Sequence, residues 1–138
     1  MQSEDQRMER SRRLKFLILQ YTPSVLNEGF VNIAVLGYEI DTGSFAEARF
    51  LDGWEAALRL DPNADIEMLD ALRKEIQGGW PDVERRETLL KLLLDSFSNS
   101  VQIFQEQTCL TNDPEKEMRD LVLRYLSPAV SERSLPQA

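Results

Sequence analysis

The sequence predicts an α+β domain in which about four antiparallel strands form a sheet and helices pack mainly on one face of that sheet. Residues 28–38 are apolar on both alternate faces, which is typical of a strand inside a sheet. The segment from Leu14 to Thr22 is similarly rich in Leu, Ile and Phe. Beyond residue 52 the apolar residues recur at helical spacing, so the remaining elements are mostly helices.

The first three strands are predicted to form an antiparallel meander. Pro23 ends the first strand, and the seven residues up to Gly29 are too few for a helical crossover. A short turn at residues 41–44 then leads to a third strand over residues 45–51. A fourth strand follows later, because residues 101–105 alternate between apolar and polar. Residues 106–112 are expected to be irregular.

Four helices are predicted from their start signals and apolar spacing. The first begins near Trp54, and the second runs from Ile66 to the glycines at 78 and 79. The third begins at residues 81–82 and buries Leu90, Leu93, Leu94 and Phe97. The last begins at Asp113-Pro114-Glu115 and packs on the sheet through Met118, Leu121, Val122 and Tyr125.

The chain is expected to hold one domain between two terminal segments. Residues 1–12 lack a helical apolar stripe and are expected to form a mobile basic arm. Residues 13–127 are predicted to form the α+β domain, and residues 128–138 are predicted to form a frayed tail. The net charge is −8, and residues 1–15 contribute five basic and three acidic side chains, so residues 16–138 carry −10. A body this acidic repels nucleic acid and anionic lipid, and no membrane partner is expected.

The composition argues against several kinds of chemistry. The chain has no histidine, which removes the commonest general base and metal ligand. Cys109 is the only cysteine and is expected to be an inert, partly buried thiol. Because a single cysteine cannot form an intrachain disulfide, the simplest location is the reducing cytoplasm. The spacing Asp61-x-Asn63-x-Asp65 resembles the start of a calcium loop but lacks its glycine and its final glutamate. No catalytic residue, metal or cofactor is therefore predicted.

Five polar residues remain as candidate ligand-binding positions on or beside the sheet. They are Tyr21, Glu28, Asn32, Arg49 and Gln102. One interpretation makes them the lining of a small cleft at the sheet edge. The other makes them a hydrogen-bonded structural network or part of the solvent-facing surface.

Several segments together resemble the bacterial family catalogued as domain of unknown function 3037. The segments are Leu17 to Pro23, Glu28 to Val35, Ala48 to Leu51, Ser100 to Ile103 and Leu110 to Glu115. The resemblance spans nearly the whole chain from Leu14 to Leu126. The family has no assigned activity, so the resemblance implies no catalytic residues. It does suggest a small companion or regulatory subunit of a kinase similar to the HipA type.

We expect a non-catalytic module that binds a protein partner or a second copy of itself. One alternative is a small metal-dependent nuclease or hydrolase with a cleft around Tyr21, Glu28 and Asn32, in which Asp113 could replace Glu28. The other is nucleic-acid binding through the N-terminal arginines, although the acidic body makes this partner unfavourable.

Overall fold

The computed structural model describes residues 11–22, 29–42, 44–95 and 101–126. They form β1 (Arg12–Tyr21), β2 (Val31–Glu39), β3 (Ala46–Phe50), α1 (Glu55–Leu60), α2 (Ile66–Gly79), α3 (Val83–Leu94), β4 (Val101–Thr111) and α4 (Pro114–Tyr125). The α+β class is therefore confirmed. Residues 1–10 of the predicted arm and the whole predicted tail lie outside the described residues.

The four strands form one antiparallel sheet in the order β3-β2-β1-β4. The predicted meander of the first three strands is confirmed, and β4 pairs with the other side of β1. Because β1 has neighbours on both sides, it lies inside the sheet. Its residues Leu17, Ile18 and Leu19 have no solvent exposure, so both faces of the strand are covered.

The prediction that residues 106–112 are irregular was wrong. Strand β4 continues to Thr111, which pairs with Arg12, and the next pairs include Cys109 with Leu14. Most side chains in this stretch are exposed and polar, so no apolar alternation marks the strand. Its backbone is ordered by pairing with β1, a tertiary constraint that overrides the local pattern. The same pairing places Arg12 inside β1, although it was predicted to belong to the arm.

The expected alternation of β2 fails at Ile33 because the strand contains a β-bulge there. Leu19 pairs with Ala34 and Gln20 pairs with Asn32, so Ile33 is an extra residue. Leu19 and Gln20 point to opposite faces of the sheet, and a residue of β2 points to the same face as the β1 residue with which it pairs. Ala34 therefore lies on the face of Leu19, and Asn32 lies on the face of Gln20. The bulge thus moves Asn32 to the face opposite Ala34, whereas strict alternation puts both on one face.

Helices cover both faces of the sheet, with three of the four on one side. A Cβ built on Gly37 would lie 2.5 Å from Sδ of Met118, so α4 packs directly on that face. The adjacent residue Tyr38 points the other way and contacts Trp80 edge-on. Trp80 follows α2, and its indole N–H donates to the Gly37 carbonyl at 2.9 Å. Helices α1 to α3 therefore lie on the Tyr38 face.

The capping residues at the helix starts were predicted more accurately than the residues that the helices bury. Asp65 accepts from the Met68 N–H at 3.0 Å, and Asp113 accepts from the Lys116 N–H at 3.2 Å. The expected burial of Leu94 was wrong, because α3 ends there and Leu94 is 59% exposed. Leu93 is buried as predicted, and the other buried residues of α3 are Arg86 and Leu89. Phe97 lies outside the described residues.

Gly37→Ala is expected to destabilise the fold by about 1–3 kcal/mol, because the new methyl group overlaps the fully buried Met118 side chain. Gly78→Ala is the matched control, since no atom lies within 4 Å of the corresponding methyl position. That control should be neutral or slightly stabilising, as alanine favours the helix. Urea unfolding measures both, and equal effects would show that α4 does not constrain residue 37.

Candidate functional site

The structure separates the predicted site residues instead of gathering them into one cleft. Tyr21 pairs with Val31 and lies on the face of the sheet that carries α1 to α3. Asn32 lies on the opposite face, beside α4. Arg49 lies on β3, and Glu28 is outside the described residues. Tyr21 and Asn32 therefore cannot act on one substrate atom from the same side of the sheet.

Asn32 and Gln102 do belong to one row of amide side chains. Both pair with Gln20, from opposite sides of β1. The Gln20 amide donates to Oδ1 of Asn32 at 2.9 Å, and the Asn32 amide donates to the Tyr125 carbonyl at 3.2 Å. Asn32 thus links β1 to the C-terminal end of α4. This arrangement fits the interpretation that these polar residues form a hydrogen-bonded structural network, one of the two left open by the sequence.

Tyr21 also has a structural partner. Its hydroxyl donates to Oδ2 of Asp61 at 2.9 Å, which ties β1 to the end of α1. Burial, followed by this hydrogen bond to Asp61, raises the pKa of Tyr21 to about 12. The phenol is therefore neutral at physiological pH and does not provide a base.

Arg49 lines a polar groove of about 340 Å³ between β3 and α4. The other charged residues there are Glu47, Glu115 and Arg119, and the Arg49 guanidinium donates to the Glu47 carboxylate. The charges of the four groups cancel. The groove therefore offers no strong selectivity for either an anion or a cation.

Among the residues that the structure describes, two charged side chains are buried, and sequence reasoning identified neither. Glu39 accepts from the hydroxyls of Thr42 at 2.8 Å and Ser44 at 3.4 Å, and so holds the turn between β2 and β3. Arg86 is 3% exposed and donates to the carbonyls of Trp80 at 2.8 Å and Pro81 at 3.3 Å. The guanidinium carbon of Arg86 lies 5.1 Å from the centre of the Tyr38 ring. Burial lowers the pKa of Arg86 below its ordinary value.

The described residues offer neither a metal-binding cluster nor an activated thiol. Among residues 11–22, 29–42, 44–95 and 101–126, no group of three or more His, Cys, Asp or Glu side chains is placed to hold a metal. Cys109 is half-buried, as predicted, and burial followed by the charge of Glu117 raises the pKa of its thiol. A thiol with a raised pKa is a poorer nucleophile at neutral pH.

A further groove lies where the end of α3 meets the edge strand β4. This α3/β4 groove has a volume of about 590 Å³ and is lined by Leu93 and Leu94 from α3 and by β4 residues between 101 and 106. Phe104, one of the lining residues, is 51% exposed and stacks on Phe30, which is 56% exposed, with 6.4 Å between ring centres. Exposed apolar side chains beside a strand edge are typical of a protein-binding surface.

The outward backbone groups of β4 follow from the register of the sheet. The Ile40 N–H donates to the Arg13 carbonyl at 2.9 Å, so the odd-numbered residues of β1 direct their backbone groups toward β2. The even-numbered ones then bond to β4, and Phe16 pairs with Gln107. By alternation, Glu106, Thr108 and Leu110 direct their N–H and C=O groups away from β1.

These outward groups have no strand beside them among the described residues, where β4 pairs with β1 alone. The edge is long for a sheet of this size, with 11 residues against five in β3. It contains a single charged residue, Glu106, and no proline. Phe104 is an extra residue in the pairing with β1, between Ile103 opposite Leu19 and Gln105 opposite Ile18, so β4 bulges there. The regular part of the edge is residues 105–111, and an edge of this length with so little charge is competent to pair with another strand.

Comparison with family models gives one match. Residues 16–126 match the family described as protein of unknown function (DUF3037). The chain belongs to this family. The matched region begins within β1 and ends one residue after α4, so the DUF3037 region includes the whole α3/β4 groove.

Comparison with curated proteins found no match, and neither did comparison with solved structures. None of the helices in the described part of the DUF3037 chain is long and apolar enough to cross a bilayer.

Tyr21→Phe is expected to cost about 1 kcal/mol at pH 8 through loss of the hydrogen bond to Asp61. The cost should shrink as the pH rises from about 10 to about 12. Over that range Tyr21 ionises in the unfolded wild-type chain but resists ionisation in the folded one, which destabilises the wild type. Phenylalanine cannot ionise, and both proteins share the other tyrosines. Chemical unfolding at pH 8 to 12 measures the difference, and a constant difference would contradict the raised pKa.

Arg86→Lys is expected to destabilise the fold by about 1–3 kcal/mol, because a single ammonium cannot replace a planar group that bonds the carbonyls of Trp80 and Pro81 and stacks on Tyr38. Arg85→Lys is the matched control on the adjacent position. Arg85 is exposed, and its ion pair with the exposed Glu75 is long at 3.5 Å. Its replacement should therefore change the free energy of unfolding by under about 0.5 kcal/mol. Thermal unfolding compares the two, and similar melting temperatures would show that the buried guanidinium is dispensable.

Proposed function

We propose that this chain is a non-catalytic protein-binding module of the bacterial cytoplasm that adds a partner strand to the free edge of β4. The observation that carries the proposal is the outward row of N–H and C=O groups at Glu106, Thr108 and Leu110, unpaired among the described residues. A partner strand can satisfy these groups by extending the sheet, a common mode of peptide recognition.

The surroundings of the edge support the same function. The α3/β4 groove lies beside the first half of β4, and the exposed pair Phe30 and Phe104 lies at the same end of the sheet. Backbone hydrogen bonds supply affinity without sequence preference, so specificity has to come from side-chain pockets next to the edge. The groove provides such a pocket.

The enzymatic alternative has less support from the geometry. It required Tyr21 and Asn32 to converge, and they lie on opposite faces of the sheet. Nucleic-acid binding through the N-terminal arginines depends mainly on residues outside the described ones. A kinase similar to the HipA type remains one proposed partner, suggested by the family resemblance alone.

Thr108→Pro is expected to abolish partner binding and leave the fold intact. Proline removes one outward N–H from the edge of β4 and no hydrogen bond to β1. The measurement is affinity capture of partners from host lysate with tagged full-length chain, together with light scattering of the purified protein. We expect the wild type to retain a stoichiometric partner or to self-associate, and Thr108→Pro to do neither.

Two further variants make the result specific. Thr108→Val keeps the N–H and suits a strand, so it should bind like the wild type. Gln107→Pro removes an N–H that bonds to β1 and should destabilise the fold, which tests the assigned direction of each backbone group. A monomeric wild type without any partner, or unchanged binding by Thr108→Pro, would contradict the proposal.

A further inference from the structure

We infer that the occupant of the β4 edge is an extended, neutral-to-basic segment of another protein, with apolar side chains at every second position. This inference rests on the proposed function and specifies the chemistry of its partner. Three features of the α3/β4 groove carry it: the direction of the strand's outward groups, the apolar lining and the charge.

The direction of the backbone determines which side chains of the incoming strand enter the groove. Glu106 pairs with Leu17 and forms an ion pair with Lys15 at 3.1 Å, so its side chain lies on the face that carries α3. A strand added to this edge places alternate side chains on that same face. Those side chains meet the groove, and the intervening ones point to the opposite face.

The lining favours apolar side chains at these alternate positions. Leu94 is 59% exposed at the end of α3, and the other apolar residues of the lining are Leu93, Val101, Ile103 and Phe104. The β4 residues along the groove, 101 to 106, span about 20 Å of strand. A strand that covers this length and also reaches Thr108 and Leu110 has about ten residues, of which about three direct their side chains into the groove.

The charge favours a basic or neutral segment over a second copy of this chain. Glu106 is the only charged residue of β4, and the whole chain carries −8. Pairing of β4 with its own copy brings two acidic bodies together, and β4 has no Lys or Arg to compensate. Lys15 already pairs with the Glu106 carboxylate at 3.1 Å, so the preference comes from the −8 charge of the whole chain, which attracts a segment with an excess of Lys and Arg.

The test is selection of displayed random peptides of about ten residues against immobilised full-length chain. We expect enriched sequences with apolar residues at alternate positions and an excess of Lys and Arg over Asp and Glu. The strongest sequence, made as a synthetic peptide, should bind the wild type measurably by fluorescence anisotropy. Its affinity should fall about tenfold or more for Leu94→Lys and for Thr108→Pro.

Leu123→Lys is the matched control for Leu94→Lys. Leu123 lies on α4 and is 66% exposed, so both substitutions add the same charge at an exposed leucine. The synthetic peptide should bind Leu123→Lys as it binds the wild type. Equal weakening by the two variants would overturn the inference, since it would reflect the general loss of negative charge.

The remaining outcomes separate this inference from the proposed function. Enriched peptides with apolar residues at spacings of three and four would indicate a helical partner and overturn the inference. Absence of any enriched sequence, together with self-association that Thr108→Pro abolishes, would identify a second copy as the occupant. The proposed function would then stand and the inference would fail. Absence of enrichment with no effect of Thr108→Pro would overturn both.

Discussion

The structure depends on burial of both faces of β1. This strand is paired on both sides, and its consecutive residues Leu17, Ile18 and Leu19 have no exposure, so no single layer of helices can cover it. On the neighbouring strand β2, Met118 of α4 packs on one face of the sheet at Gly37, and Trp80 packs on the other face at Tyr38, beside α1 to α3. The close approach at Gly37 and the buried Arg86 are consequences of fitting these two layers around one sheet.

The main outline of the fold could be predicted because its strongest signals are local. The continuous apolar runs of β1 and β2, the glycines at 78 and 79, and the Asp-Pro-Glu start of the last helix each determine an element from a few residues. The second half of β4 could not be predicted this way. It is a strand because β1 lies beside it, and an exposed edge needs no apolar alternation.

The candidate site was harder to predict because it is made of backbone and of distant elements. Asn32 was a candidate because it is a polar residue within an apolar strand. The bulge at Ile33 turns it toward α4, where its amide donates to the Tyr125 carbonyl. No residue type marks a bulge of this kind reliably. Likewise, Leu94 looked like part of a buried helix stripe, and only the end of α3 at this residue leaves its side chain exposed on the side of a groove.

The two edges of the sheet are unequal, and this inequality limits the stoichiometry of any complex built by strand addition. Strand β3 has five residues, and Glu47 and Arg49 are charged, whereas β4 has 11 residues and one charge. Short charged edges resist pairing, so the sheet can grow in one direction only. A chain with one competent edge gives a closed complex of two components. Its assembly therefore ends after a single addition and does not propagate into a fibre.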